Sequence, residues 1–302
     1  MTAPTASRPA TDAMRPVYVV TGASRGLGRA TATHLASGHS DLAICARTKD
    51  ALDATAETCR ALGSTVHAEV LDVADADAVR AFADRVEDRL GPARGLVNNA
   101  GVLGPVGPID RVDMGEWREA LLVNIAGVAN ACAGFVPQMR RSGGGSIVNL
   151  SGGGLGGPVV QSFLSAYTSS KAAVAVLTET LAAELVADGI RVNAVAPGGL
   201  ATELMRPVLT AGREAAGEAL YSTAVRIYEA GSASDDVPVE FATLLDFLLS
   251  PGSAWLTGRL LSARWETVER LLDARDRIAT TSLFTLRRID DALYTELPTE
   301  SR

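Results

Sequence analysis

The chain predicts an open α/β fold, a doubly wound sheet of about seven parallel strands with helices on both faces. Three observations carry this. Short apolar runs rich in β-branched residues alternate with longer helical stretches, the pattern of a parallel sheet buried on both sides. A glycine-rich turn, Thr21-Gly22-Ala23-Ser24-Arg25-Gly26-Leu27-Gly28, stands where the first apolar run gives way to the first helical one. No composition break divides the 302 residues, and a 47% hydrophobic content suffices for one large core.

The strands read in order as 17–21, 42–46, 66–71, 95–98, 146–150, 191–196 and 259–262. Helices fill the intervals, the longest over about 115–139, 166–187 and 237–249. Residues 1–14 mix Thr, Ala, Pro and Ser without periodicity and read as a disordered arm that lacks the apolar stretch of a secretory signal. Residues 15–262 form a single catalytic domain, with a substrate-facing segment at 199–237, and 263–302 an extension. Within that extension Trp265, Val268, Leu271 and Leu272 recur at helical spacing, so an amphipathic helix is expected after Ser262. Farther on, Leu283, Phe284, Leu286 and Ile289 offer another apolar contact. The extension caps the cleft, reaches a second subunit or simply enlarges the core.

Composition excludes several classes. A net charge of −7 with scattered basic residues argues against a nucleic-acid face. No window reads as long and apolar enough to span a bilayer, so no membrane partner is expected. Cys45, Cys59 and Cys132 lack close metal-ligand spacing and read as structural thiols of a reducing cytoplasm. His34, His39 and His67 are too dispersed to suggest a metal site.

The glycine turn sits at a strand-to-helix junction, which gives it chemical meaning. Gly22 allows the tight turn, Gly26 lets the backbone approach a pyrophosphate, and Gly28 permits close packing of helix on strand. The helix N-terminus adds amide donors and positive potential, so a Rossmann-like dinucleotide site is expected here. Downstream, Tyr167 and Lys171 lie four apart on one helix and share a face. An ammonium beside a phenol lowers the phenol pKa, which makes Tyr167 a proton donor to a carbonyl oxygen.

These motifs, in this order, resemble those of the single-domain short-chain dehydrogenase/reductases over residues 17–262. The resemblance rests on the glycine turn, Asp72-Val73, Asn98-Asn99-Ala100-Gly101, Asn124, Tyr167 with Lys171, and Pro197-Gly198 followed by Thr202. It implies that Ser24, Arg25 and Leu27 join the glycines at the cofactor, that Asp72 and Val73 hold the adenine, and that Asn99, Ala100 and Gly101 lie beside the adenosine ribose. It implies that Lys171 also holds the nicotinamide ribose, that Asn124 anchors a water for proton return, and that Pro197, Gly198 and Thr202 approach the nicotinamide. Homodimers or homotetramers built on the two long helices are expected on the same ground.

Cofactor choice is argued from charge. The position that is acidic in NAD-preferring relatives is Ala46 here, followed by Arg47, and Arg25 lies inside the turn. Two cations that can meet a 2′-phosphate favour NADP(H) over NAD(H). The substrate segment contains Glu203, Arg206, Arg213, Glu214, Glu218, Tyr221, Arg226 and Tyr228. So polar a segment suits a small hydroxylated or charged carbonyl or alcohol better than a steroid or fatty chain, although a solvated helix face would look the same. The tail around Thr285-Leu286-Arg287-Arg288-Ile289 resembles relatives that act on sugar-like or nucleoside-like metabolites.

One expected group is displaced. The family's usual catalytic serine falls on Gly152, and Ser151 stands one residue earlier. Neighbouring strand residues point to opposite faces, so Ser151 is expected to serve if the strand ends at Leu150 or bulges there and the glycines let it swing inward. Ser162, Ser165 or the amides of the glycine run are alternatives. Two functions therefore stand at this point: a reductase using Tyr167, Lys171, Asn124 and Ser151, or a cofactor-binding sensor or scaffold with little turnover.

Overall fold

A computed structural model describes residues 15–152, 155, 161–198, 203–229 and 237–286. The disordered-arm expectation for 1–14, Thr202, and the tail beyond Leu286 lie outside the described residues. Seven strands, β1 (Val17–Thr21), β2 (Asp41–Ala46), β3 (Val66–Val70), β4 (Ala93–Asn98), β5 (Gly145–Leu150), β6 (Ile190–Ala196) and β7 (Leu260–Ser262), form one sheet in the order 3-2-1-4-5-6-7. Every pairing is parallel. The order reverses between β1 and β4, which opens a crevice at the strands' carboxyl ends.

The crossover helices are α1 (Gly26–Ser37), α2 (Lys49–Ala61), α3 (Ala76–Leu90), α4 (Met114–Leu121), α5 (Gly127–Arg141) and α6 (Ser165–Leu185). After β6 come α7 (Arg206–Ala216), α8 (Glu218–Glu229) and α9 (Val239–Leu249), and β7 is followed by α10 (Val268–Asp273) and α11 (Arg275–Thr280). The sheet divides the core into two apolar layers. One packs Phe82, Phe135 and Met139 of α3 and α5 beneath β1 and β4. The other packs Leu35, Leu52, Phe241 and Leu248 of α1, α2 and α9 on the opposite face.

The long helix expected at 115–139 runs as α4, a π-helical turn at Leu122–Ala126 and α5. By length and composition this Met114–Arg141 stretch could cross a bilayer, contrary to the sequence expectation. It is apolar because α5 buries Ala131, Cys132, Phe135 and Met139 in the core. The tail also differs from expectation. Thr267 accepts from the Arg270 amide and starts α10 there, so Trp265 falls before the helix and is 54% exposed. Leu272 is exposed as well, and Leu271 and Ile278 supply the buried contacts.

The returning chain lies along the outer edge of β7. Arg259 donates to the carbonyls of Ile278, Thr281 and Leu283, and the Leu260 amide donates to the Phe284 carbonyl at 2.7 Å. Glu179 of α6 accepts from the Leu286 amide at 2.8 Å. A sheet edge covered in this way cannot pair with another chain.

A buried polar line ties the sheet centre to α6. Asn98 Nδ2 donates to Asn149 Oδ1, and Asn149 Nδ2 to Thr178 Oγ1, both at 2.8 Å. Removing the middle residue strands a donor and an acceptor in the core. Asn149→Leu should therefore cost about 2 kcal/mol, and calorimetry should show a Tm several degrees below that of the parent protein.

Candidate active site

A cleft of about 540 Å³ opens at the carboxyl ends of the strands. The glycine turn contributes Gly22, Ser24, Arg25, Gly26, Leu27 and Gly28; the end of β2 contributes Arg47; the loop after β3 contributes Asp72 and Val73. Asn99, Ala100 and Gly101 follow β4, Ser151 and Gly152 follow β5, Tyr167 and Lys171 come from α6, and Pro197 and Gly198 follow β6. Asn124 stands just behind this wall.

The turn is held by contacts that leave no room for side chains. Gly22 has φ +68°, and a Cβ on it would lie 2.7 Å from Ala100 Cα. A Cβ on Gly28 would collide with the Gly22 carbonyl and the Asn99 amide. Asn99 Nδ2 donates to the carbonyls of Thr21 (2.9 Å) and Gly22 (3.2 Å), while Thr21 Oγ1 accepts from the amides of Asn99 and Ala100. Asn99 thus acts on the cleft through the shape of the turn.

The turn fits a pyrophosphate. Helix α1 has no side-chain cap and no acidic residue in its first turn, whereas Asp75 and Asp113 cap α3 and α4. The first amides of α1 are left as donors for an anion. Beyond the turn, Asp72 Oδ1 accepts from the Ala74 amide at 2.9 Å, and Val73 packs against Gly127, where a Cβ would lie 2.6 Å from Val73 Cγ2. Arg47 lies 3.8 Å from Asp72 and 3.9 Å from Glu119. At those distances its hydrogen-bond donors are not consumed.

Lys171 Nζ is buried, donates to the Leu150 carbonyl at 2.7 Å and lies 5.8 Å from the Tyr167 ring centre. Burial lowers Lys171 to about 8 and raises Tyr167 to about 12. The expected lowering of the phenol pKa is therefore reversed in this structure. Desolvation penalises both charged forms, and the ammonium is committed to a strand-end carbonyl. Tyr167 stays a phenol at neutral pH, the state that donates a proton.

Asn124 sits in the π-helical turn. Its Oδ1 accepts from the Val102 amide, and its Nδ2 donates to the Val102 carbonyl and Ser170 Oγ, at 2.8 to 2.9 Å. A Cβ on Gly101 would lie 3.2 Å from Asn124 Oδ1 and 3.6 Å from Lys171 Nζ. Glycine at 101 keeps the space between those two groups open.

Ser151 requires a correction. Its Oγ is buried and donates to the Lys171 carbonyl at 3.2 Å, so its proton serves the backbone of α6. The position that faces the phenol is 152, where a Cβ would lie 3.2 Å from Tyr167 Oη. No bulge rotates the serine into that place. Ser165 Oγ accepts from Trp117 Nε1 at 3.1 Å, and Ser162 is exposed beside a neighbouring cavity. Gly153 and Gly154 lie outside the described residues.

The cleft also takes Glu203, Thr223 and Ile227 of the expected substrate segment, and Gln161, Ser262, Arg264 and Trp265, which sequence reasoning did not assign to it. The last three follow the carboxyl end of β7, so the strand-end rule that located the other loops could have found them. The described charged side chains of the substrate segment are exposed, and of these Glu203 also lines the cleft. Arg206 pairs with Glu203 at 3.2 Å, and Arg213 with Glu218 at 2.5 Å while also covering the Tyr221 ring. Inward, Val208, Ala216, Leu220 and Ala224 pack with Leu103 and Leu164 as a third apolar cluster. Much of the segment's polarity is thus a solvated face.

A parallel sheet with this turn, and a Tyr-Lys pair at the strand ends, defines an oxidoreductase that uses a nicotinamide dinucleotide. Comparison with known proteins narrows the class. The sequence profile of the short chain dehydrogenases matches residues 16–212. A cis-4-hydroxycyclohexanecarboxylate dehydrogenase of Sinomonas cyclohexanicum is 34% identical over 249 residues, 82% of this chain and 94% of that one. A galactitol 2-dehydrogenase (L-tagatose-forming) of Cereibacter sphaeroides is 36% identical over 246 residues, 80% and 91% of the two chains. Among solved structures, NAD+-bound xylitol dehydrogenase superposes with a TM-score of 0.73 at 28% identity, covering 83% of this chain and 98% of its own. An actinorhodin polyketide ketoreductase variant with NADPH gives 0.71 at 28% identity, covering 82% and 95%. The chain belongs to the short-chain dehydrogenase/reductase family.

Proposed function

We propose that the protein is an NADP(H)-dependent reductase of a small polar ketone, or the dehydrogenase of the corresponding secondary alcohol. The observation that carries this reading is the pairing of a neutral Tyr167 phenol with the fixed Lys171 ammonium at the strand ends. The nicotinamide supplies or takes the hydride. Tyr167 Oη gives a proton to the carbonyl oxygen in reduction and takes it back in oxidation. With the cofactor bound, Lys171 would hold the nicotinamide ribose, and its ammonium would return a proton toward the Tyr167 phenolate and be reprotonated through the space that Gly101 keeps open to Asn124 Oδ1. Gln161, Thr223 and Arg264 offer polar partners to the substrate, as suits relatives whose names specify galactitol and a hydroxycyclohexanecarboxylate.

Gly152 supports the second reading, a cofactor-binding protein with slow turnover, because no side-chain hydroxyl stands at the place that faces Tyr167. One comparison separates the two. For a reductase, Tyr167→Phe should lower kcat by about 100-fold or more while leaving cofactor binding intact. Ser151→Ala should change kcat by less than about tenfold, since its hydroxyl serves a backbone carbonyl worth about 1 kcal/mol of stability. Unchanged turnover of a carbonyl panel in Tyr167→Phe would remove the reductase reading.

NADP(H) is favoured because Arg25 and Arg47 flank the end of β2, where Ala46 presents no carboxylate. The surface pairs of Arg47 contribute little and do not compete strongly with a phosphate. A fluorescence titration should show NADPH bound more tightly than NADH. Arg47→Ala should weaken NADPH by about tenfold or more, the worth of one charged hydrogen bond, and leave NADH within about twofold. Equal affinities in the parent protein would overturn the assignment.

A cytoplasmic location belongs to the same reading and agrees with three free, buried cysteines. Burial raises the Cys45 and Cys132 thiols to about 12, so they stay protonated and inert. Homodimers or homotetramers are proposed through the long helices, on which Leu122 is 55% and Val176 53% exposed. Light scattering should return a multiple of the 31.3 kDa chain, and a monomer at working concentration would remove this proposal.

A further inference from the structure

Phe163 holds a left-handed backbone, φ +64°, in the turn that enters α6, four residues before Tyr167. That conformation is disfavoured for an aromatic residue and persists where the surroundings fix it, often at ligand clamps. Here the Phe163 carbonyl accepts from the Gly107 amide at 2.9 Å. The ring lies against Gly217, between α7 and α8, where a Cβ would fall 2.5 Å from Phe163 Cε2. Gly217 has φ +71°, so two unusual backbones meet to place one ring.

The core does not claim that ring, because Phe163 remains 36% exposed. It lines a second cavity of about 320 Å³ with Ala216, Gly217, Ala219 and Leu220. This cavity shares Gln161 and Thr223 with the cleft that holds Tyr167, so the two spaces adjoin at those residues. Its charged neighbour, Glu218, is taken up by Arg213 at 2.5 Å and Ser222 at 2.6 Å. The lining suits a neutral apolar group, and an anion would meet the Glu218 carboxylate.

We propose that the second cavity is a substrate subsite for an apolar substituent, an alkyl chain or ring carried on the ketone, and that Phe163 is its specificity-determining wall. This rests on the reductase reading and adds to it: the substrate is polar near the carbonyl and apolar at one end. The test is a homologous series of 2-alkanones, butanone to octanone, offered to the full chain loaded with NADPH or NADH. Both kcat/KM and ketone affinity, the latter from nicotinamide fluorescence, are read for the parent protein, Phe163→Gly and Phe163→Asn. Glycine and asparagine both accept the left-handed backbone, so each removes the ring without imposing strain.

Each added methylene should raise kcat/KM and affinity of the parent protein about fourfold until the cavity fills, and less than about 1.5-fold in either variant. A flat series in the parent protein, or the same slope in all three proteins, would overturn the subsite. If no ketone is reduced while the slope appears in binding and vanishes in the variants, the subsite stands and the reductase reading falls.

Discussion

The site depends on a reciprocal clasp between the end of β5 and the first turns of α6. Lys171 sends its side chain to the Leu150 carbonyl, and Ser151 sends its hydroxyl back to the Lys171 carbonyl. The first meets a carbonyl at the end of β5, and the second adds to a carbonyl inside α6. Together they fix the rotation of α6 about its axis, and with it the place of Tyr167. The Asn98–Asn149–Thr178 line extends the same restraint two turns farther along α6. The Tyr167 hydroxyl and the Lys171 amine are thereby carried on rigid elements.

Burying that clasp sets its chemistry. Removed from water, the lysine holds its proton less tightly and the phenol holds its own more tightly. The two pKa values move apart, the phenol well above the ammonium, so no phenolate stands at neutral pH. Glycine at 101 leaves the space between Asn124 and the lysine open, and a side chain at 152 would stand against the phenol.

The two halves of the cleft are built differently. The cofactor half is set by sheet and helix packing in the two large apolar layers. The substrate half rests on a smaller cluster, Leu103, Leu164, Val208, Ala216, Leu220 and Ala224, through which α7 and α8 lie over the entrance to α6. Phe163 and Gly217 belong to that second construction. It offers a place to vary what enters the cleft while the turn at Gly22 to Gly28 stays as it is.

The sequence alone determined the sheet, its seven strands and the loops at their carboxyl ends, because alternating apolar runs and a glycine turn are local patterns with local physical causes. The Tyr167–Lys171 pair was legible for the same reason, since four residues of helix is a fixed spacing. What only the tertiary structure decided was where side chains point once distant segments meet. The serine question at 151 and 152 turned on a single residue of strand twist and on the carbonyl of Lys171, twenty positions away. The phenol pKa turned on burial, which outweighed the neighbouring ammonium. The inward apolar face of the substrate segment, the placing of Trp265 ahead of its helix and the pairing of Phe163 with Gly217 all depend on contacts between segments remote in sequence, and no periodicity encodes those.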